Sequence, residues 1–354
     1  MRWLISMVLL LQGCADLGYY WHSASGHLAV MNQRESIEDL LADEGLESNL
    51  RDQLLLVQEM RQFSIERLAL PDNDSYQSYV QLDRPYVLQN LFAAPEFSTR
   101  LYQWCYPIIG CASYRGYYDE ARLQSYVEQL EADHLEVYVG QVPAYSTLGW
   151  FDDPILSSFI NWPEYRLAGL LFHELTHQRI FIGDDTTFNE SLATAVQQAG
   201  TRLWLESRQR EDGLNRMQRW LAYRKQVITL IDQTRDQLDH IYRLKIVDAD
   251  KRQRKQAIFD QAQVMHGIIA HSHGIEAGFT HWFESGLNNA KVGSVGAYND
   301  RLEAFLAILE AQSSDFSAFF NYVDKLGRLE KKARNRCLDA WTQGSFPQLN
   351  DCPV

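Results

Sequence analysis

The sequence has no Lys/Arg-rich run with interleaved aromatics, and its 33 basic residues are outnumbered by 46 acidic ones. A formal charge of −13 offers phosphates no basic face, which argues against nucleic acid as a partner. Long apolar runs are missing as well. The stretch WLISMVLLL at 3–11 has about half of the ~20 residues that a bilayer-crossing helix needs. No C-x2-C pair occurs among the five cysteines, so a zinc ribbon has no knuckles to be built from. Internal repeats and low-complexity tracts are absent, and with them a solenoid or a disordered tail. What remains is 46% hydrophobic and 22% charged, the balance of a globular chain, and 354 residues suffice for one large domain or two smaller ones.

The N-terminus reads as an address. Arg2, the short apolar run and Gln12-Gly13-Cys14 make a secretory signal over residues 1–13. Its end resembles a bacterial lipobox, in which Cys14 becomes the lipidated first residue. Residues 14–35 then form a membrane tether and entry segment. By resemblance to sorted lipoproteins, Ala15 rather than aspartate after the cysteine implies the outer membrane of a bacterial envelope, with the chain facing the periplasm. Export permits disulfides, and short spacing favours the pairs Cys105–Cys111 and Cys337–Cys352.

Periodicity predicts a predominantly helical α+β fold. Three-four spacing of Ile37, Leu40, Leu41, Leu50 and Leu54 predicts helix over 36–69, and LPDNDSY is a loop. Aromatic and β-branched residues at 101–119 suggest paired strands; 120–132 is helical; LEVYVGQV at 135–142 alternates as a strand. Beyond Pro163 helix dominates. A long helical hairpin is expected in the C-terminal half, from the stripe beginning at Met217 through Ile269, followed by final helices near 299–312 and 314–340. Residues 36–354 thus read as one domain, a mixed α/β lobe over 36–160 and a helical metal-binding lobe over 161–354, with a small sheet next to the metal helix.

The chemistry concentrates in LLFHELTHQRIFIGDDTTFNES, residues 170–191. No proline interrupts 164–182, and residues four apart on a helix lie about 40° apart and roughly 6 Å along the axis. His173 and His177 can therefore converge on one ion. Glu174, turned by about 100°, can address a water beside it without ligating. This pattern is what a zinc hydrolase requires: neutral nitrogen ligands, an open position and a carboxylate base. A third ligand must come from another element. Glu190, twelve residues beyond His177 and opening a new helical pattern, is the first candidate. Asp184 and Asp185 are alternatives, and Thr187-x-x-Glu190 also fits a capping box in which Glu190 only serves its own helix.

HELTH followed by an NES-type glutamate resembles the gluzincins, zinc peptidases with two histidines and a glutamate on one Zn²⁺. The gap here is shorter than in the best-known gluzincins. The wider string is similar to the bacterial predicted-aminopeptidase family of zinc-peptidase lipoproteins. It shares the lipobox, Trp104-Cys105-Tyr106-Pro107, Tyr114-Arg115-Gly116-Tyr117, AYSTLGWFDDP at 144–154, FHELTHQ, TTFNES and Asn288-Asn289-Ala290. The resemblance implies an exported zinc metallopeptidase, by its label an aminopeptidase. One zinc ion on His173, His177 and Glu190 and catalysis by Glu174 follow as expectations.

A second donor should stabilise the oxyanion. Tyr298 is preferred over His266, His271 and His273 because it follows Asn288-Asn289. Tyr145, Ser146, Thr147, Leu148 and Gly149, ahead of the metal helix, could pair with a peptide substrate's backbone as an edge strand or simply continue a sheet or loop. Asp152 and Asp153 read as a turn before Pro154. The other functional class open to this sequence is a non-catalytic envelope lipoprotein with a structural or vestigial zinc site and a partner bound by its long helices.

Overall fold

Along the chain, β1 (Glu35–Ser36) leads into α1 (Ile37–Ala42) and α2 (Ser48–Leu68). These are followed by β2 (Ser78–Val80), β3 (Leu88–Pro95), β4 (Trp104–Tyr106), β5 (Gly110–Ala112) and β6 (Arg115–Tyr117). Then come α3 (Glu120–Ala132), β7 (Leu135–Val142), β8 (Ile155–Leu156), α4 (Glu164–Arg179) and α5 (Thr186–Ser207). The long α6 (Glu211–Arg243) and α7 (Asp248–His273) precede α8 (Thr280–Glu284) and α9 (Asn289–Ser294). Helices α10 (Leu302–Ala311), α11 (Phe316–Gly327) and α12 (Lys331–Thr342) close the chain. This computed structural model describes residues 18, 19, 21–106, 110–147, 151–183, 185–276, 278–295 and 301–345. Cys14, Leu148, Gly149, Asp184, Tyr298 and Cys352 lie outside the described residues, so the lipid anchor and the second expected disulfide do too. The fold is α+β and predominantly helical, with small sheets of two or three strands.

The chain divides into two compact units that interleave in sequence, one of residues 34–81, 145–217 and 297–354, the other of 1–33, 82–144 and 218–296. In the first unit β2 pairs antiparallel with β1 and parallel with β8, with Tyr79 opposite both Glu35 and Ile155. The helix expected over 36–69 is two helices. The Asp43 carboxylate accepts from Gly45 N at 2.9 Å and folds a turn between them. Helices α4 and α5 lie side by side and both pack on α2. Leu54, Val57, Leu68, Leu167, Leu171, Phe172, Leu192 and Val196 are buried there, and Phe63 stacks on Phe172 at 6.1 Å. Burial of such side chains contributes roughly 1.5–3 kcal/mol each relative to leaving them exposed. This core holds α4, the helix that carries His173 and His177. The last expected helix is also divided, into α11 and α12, at residues 328–330.

Asp185 ties the start of α5 to α12. Its carboxylate accepts from Phe188 N at 3.4 Å as the helix N-cap and from Arg334 Nε at 3.1 Å, with Lys331 at 3.7 Å. Asp185 and Arg334 are both buried. Breaking such a pair by removing one partner costs roughly 3–5 kcal/mol, because the other charge is left stranded.

The second unit holds the sheet β6-β3-β7, fully antiparallel. Its central strand, LQNLFAAP, carries no clean apolar–polar alternation, with Leu91, Ala93 and Ala94 buried and the others partly covered or exposed, and the sequence reading passes over it. Leu123, Val127 and Leu130 of α3 cover Leu91, Ala93 and Trp104. Strands β4 and β5 pair Cys105 opposite Cys111, and these two form the expected disulfide. Helices α6 and α7 are joined by residues 244–247 and share one apolar stripe through Val227, Ile231, Leu238, Phe259 and Ala262. This is the expected helical hairpin. Among the described residues, no helix is long and apolar enough to cross a membrane.

Two sequence strings that carry the family resemblance are architectural. Asn288 caps α9 by accepting from Lys291 N and donates to Val137 O at 2.8 Å. Asn289, fully buried, donates to Pro95 O and Glu96 O, and its Oδ1 accepts from Tyr242 Oη at 2.7 Å. Arg115 is buried with its guanidinium 3.9 Å over the Tyr19 ring and 5.0 Å over Tyr126.

Candidate metal centre

Helix α4 places His173 and His177 on one face, one turn apart, as the four-residue spacing demands. Small residues let α5 come close. A Cβ on Gly169 would sit 3.2 Å from Gln197 Nε2 and 3.4 Å from Thr201 Oγ1. The turn between the helices is clamped by Asn189, whose Oδ1 accepts from Ile182 N at 2.9 Å and whose Nδ2 donates to Ile182 O at 2.8 Å. That clamp fixes the first turns of α5 beside the last turns of α4, and Glu190 follows it directly. The neighbouring Ser191 Oγ accepts from Arg301 N at 3.2 Å. All three residues of the NES string are thereby engaged.

The donor atoms converge. His173 Nε2 and His177 Nε2 are 3.2 Å apart, and the Glu190 oxygens lie 3.4 Å from the first and 3.6 Å from the second. Ligands about 2.0–2.1 Å from a tetrahedral ion sit roughly 3.3–3.4 Å from one another, so these separations are those of one face of such a site. His173, His177 and Glu190 could hold one metal ion. Capping does not occupy Glu190, because Asp185 takes that role and α5 begins at Thr186. Asp185 in turn is committed to Arg334, which removes it as a ligand.

Gln197 orients the first ligand. Its Oε1 is 3.1 Å from His173 Nδ1, so a proton on Nδ1 leaves Nε2 bare towards the centre. Burial pulls the His173 pKa down, but the Glu190 hydrogen bond and the charges of Glu174 and Glu190 outweigh it and leave it raised. Burial, joined by His173, lowers His177 to about 4, which keeps it neutral near pH 7. Its Nδ1 is buried without a partner among the described residues. For Glu190, burial is outweighed by the His173 hydrogen bond and both histidine charges, and the carboxyl stays below its ordinary value.

Glu174 sits in a different field. Burial, opposed by His173 and reinforced by Glu190 and Asp153, raises its carboxyl to about 6. In the metal-free fold it therefore keeps its proton where the unfolded chain has lost it. Its contribution to stability falls as pH rises from the ordinary 4.5 through about 6. Metal-free Glu174→Gln is accordingly expected to match wild type in urea at pH 4 and to be the more stable of the two at pH 8. Equal midpoints at both pH values would show that no charge is being held against its preference.

Asp153, read from sequence as a turn residue, is a buried hub. Its carboxylate accepts from Ser146 Oγ at 3.1 Å, Thr147 N at 3.0 Å and Thr147 Oγ1 at 2.8 Å, and its carbonyl accepts from Tyr76 N at 2.7 Å. Ser146 also stands beside Glu174. The expected substrate-facing residues Tyr145, Ser146 and Thr147 are a loop held by this aspartate, not an edge strand. Tyr76 holds φ at 63°, the left-handed region that bulky residues avoid. Its phenol is buried, and burial with the charges of Glu174 and Asp153 raises its pKa well above the ordinary value. Of the downstream histidines, His266 is satisfied by Tyr223 Oη at 2.9 Å and stacks on Phe283 at 4.2 Å within its own unit.

Sequence reasoning missed Gln197, Asp153 and Tyr76. Gln197 alone had a signal, since it lies seven residues beyond Glu190 and so on the same face of α5.

A family model described as "Putative aminopeptidase" matches residues 18–338. No curated protein and no solved structure matches the chain.

Proposed function

The chain belongs to the family described as "Putative aminopeptidase", and from this premise we propose that it is a zinc-dependent peptidase whose metal is held by His173, His177 and Glu190. The observation that carries the reading is the set of separations of 3.2, 3.4 and 3.6 Å between one imidazole pair and one carboxylate. Two neutral nitrogens and one carboxylate oxygen, with a fourth position left over, are the donor set of a hydrolytic zinc site. Bound zinc would supply Lewis acidity towards a carbonyl oxygen and make water more acidic.

The chain's own groups do the rest. Glu174 takes the proton of the attacking water on its carboxylate and returns it to the leaving amine. Its raised pKa of about 6 in the free site suits a group that must hold a proton briefly and then release it. Ser146, fixed by Asp153, stands beside Glu174 and limits where that side chain can swing. Tyr145, Ser146 and Thr147 line the approach for a peptide. A phenol serves the developing oxyanion, and Tyr298 is the candidate the sequence offers.

The N-terminal sequence supports an exported lipoprotein anchored at Cys14, on the outer membrane facing the periplasm. The Cys105–Cys111 bridge suits that oxidising compartment. Stripping zinc from the purified chain is expected to abolish cleavage of a mixed peptide library, and adding back one equivalent to restore it. The masses of the products then show whether single N-terminal residues are released, as the family description implies, or internal bonds are cut. Cleavage that survives chelation would oppose the proposal.

A further inference from the structure

The unit that carries the metal centre exposes three large apolar side chains among the described residues: Leu55 on α2, Phe151 and Phe181. Phe181 belongs to the centre. Its ring stands edge-on to the ligand His177, with centroids 6.3 Å apart, yet half of the residue remains open to solvent. A single exposed phenylalanine needs no explanation in itself. This one is presented by a segment with little freedom. Ile180 on one side is buried, and its N–H bonds Thr176 O at 3.0 Å. Ile182 on the other side is clamped through both backbone groups by Asn189, and its tip packs against Gly327. The alternation in Ile180-Phe181-Ile182 sends the outer two side chains inward and the middle one out beside the ligand. Phe151 is tied to the loop held by Asp153, since its N–H donates to Thr147 Oγ1 at 3.1 Å while that hydroxyl donates to Asp153 Oδ1 at 2.8 Å.

Resting on the zinc-peptidase reading, we propose that Phe181 is a specificity-determining contact that receives a large apolar side chain flanking the bond to be cut. The substrates are then peptides with aromatic or branched aliphatic residues beside the scissile bond. A rigidly presented aromatic face next to the reacting carbonyl gains affinity from apolar area without paying to order a loop. The competing role is that Phe181 merely shields His177 from water.

The test compares two peptides that differ only by phenylalanine or alanine next to the cut, using the full zinc-loaded chain. Wild type is expected to favour the phenylalanine peptide in kcat/KM by about tenfold or more. Phe181→Ala should bring that ratio towards one, with the change falling on KM and zinc content unchanged, and Phe181→Leu should recover most of the preference. A wild-type ratio that survives Phe181→Ala would overturn the proposal. So would a fall on both peptides in step with lost zinc, which is the signature of a shield. If wild type cleaves no peptide in a Glu174-dependent way, the peptidase reading fails first and takes this inference with it.

Discussion

Replacing Glu174 by glutamine is expected to leave one zinc per chain and to lower peptide hydrolysis by about 10²–10⁴-fold. That range is the usual contribution of a positioned acid–base group. Glutamine keeps the volume and the place beside Ser146 but cannot take a proton from water. The packing of α4 on the core behind it should be unchanged, because Leu171, Phe172 and Leu175 supply the buried face. The informative measurement is paired, metal content beside turnover on the same preparation. Unchanged turnover with full zinc would leave the base without a task and favour a site that is structural only.

The second large effect concerns the third ligand. Glu190→Ala should weaken zinc binding by at least about 10²-fold, more than the 10–100-fold typical of losing a group that only orients a ligand. Gln197→Ala provides that lesser case, because its amide only orients His173. Competition with a chelator of known affinity would rank wild type, Gln197→Ala and Glu190→Ala in that order. The sign of the acid dependence follows from the histidines. His173, raised above its ordinary pKa by Glu190 and Glu174, must lose its proton to ligate, so affinity should drop as pH falls through its titration. Equal affinity of Glu190→Ala and wild type would return Glu190 to a role in its own helix.

The centre was legible where local rules reach. His173, Glu174 and His177 share one helix, and the helical period fixes their directions without any tertiary knowledge. Glu190 was legible as a candidate but ambiguous, because Thr187-x-x-Glu190 has the spacing of a cap. The structure resolves this by one short shift. The helix starts at Thr186, Asp185 caps it, and the glutamate falls beyond the capping positions. Asp153 and Tyr76 were illegible for the opposite reason. The Tyr76–Asp153 contact joins segments far apart in sequence, and neither an Asp-Asp-Pro turn nor a loop tyrosine announces a buried hub.

The fold divides along the same line. Most helices after Pro163 followed from three-four spacing, including the α6–α7 hairpin. The central strand β3 did not, since Leu91, Phe92, Ala93 and Ala94 run together and break the apolar–polar alternation that identifies strands. Nor could spacing reveal that the Asn288-Asn289 pair, which drew attention to Tyr298, serves to fasten α9 to β3 and β7. The interleaving of two units along the chain has no local signature at all.

On the proposed reading, His173, His177 and Glu190 together hold the zinc of a peptidase. The most direct measurement is anomalous diffraction at the zinc edge from crystals of the zinc-loaded protein. One strong peak is predicted, within bonding distance of both Nε2 atoms and the Glu190 carboxylate. A zinc peak elsewhere, or none while the three side chains remain paired only with one another, would contradict it.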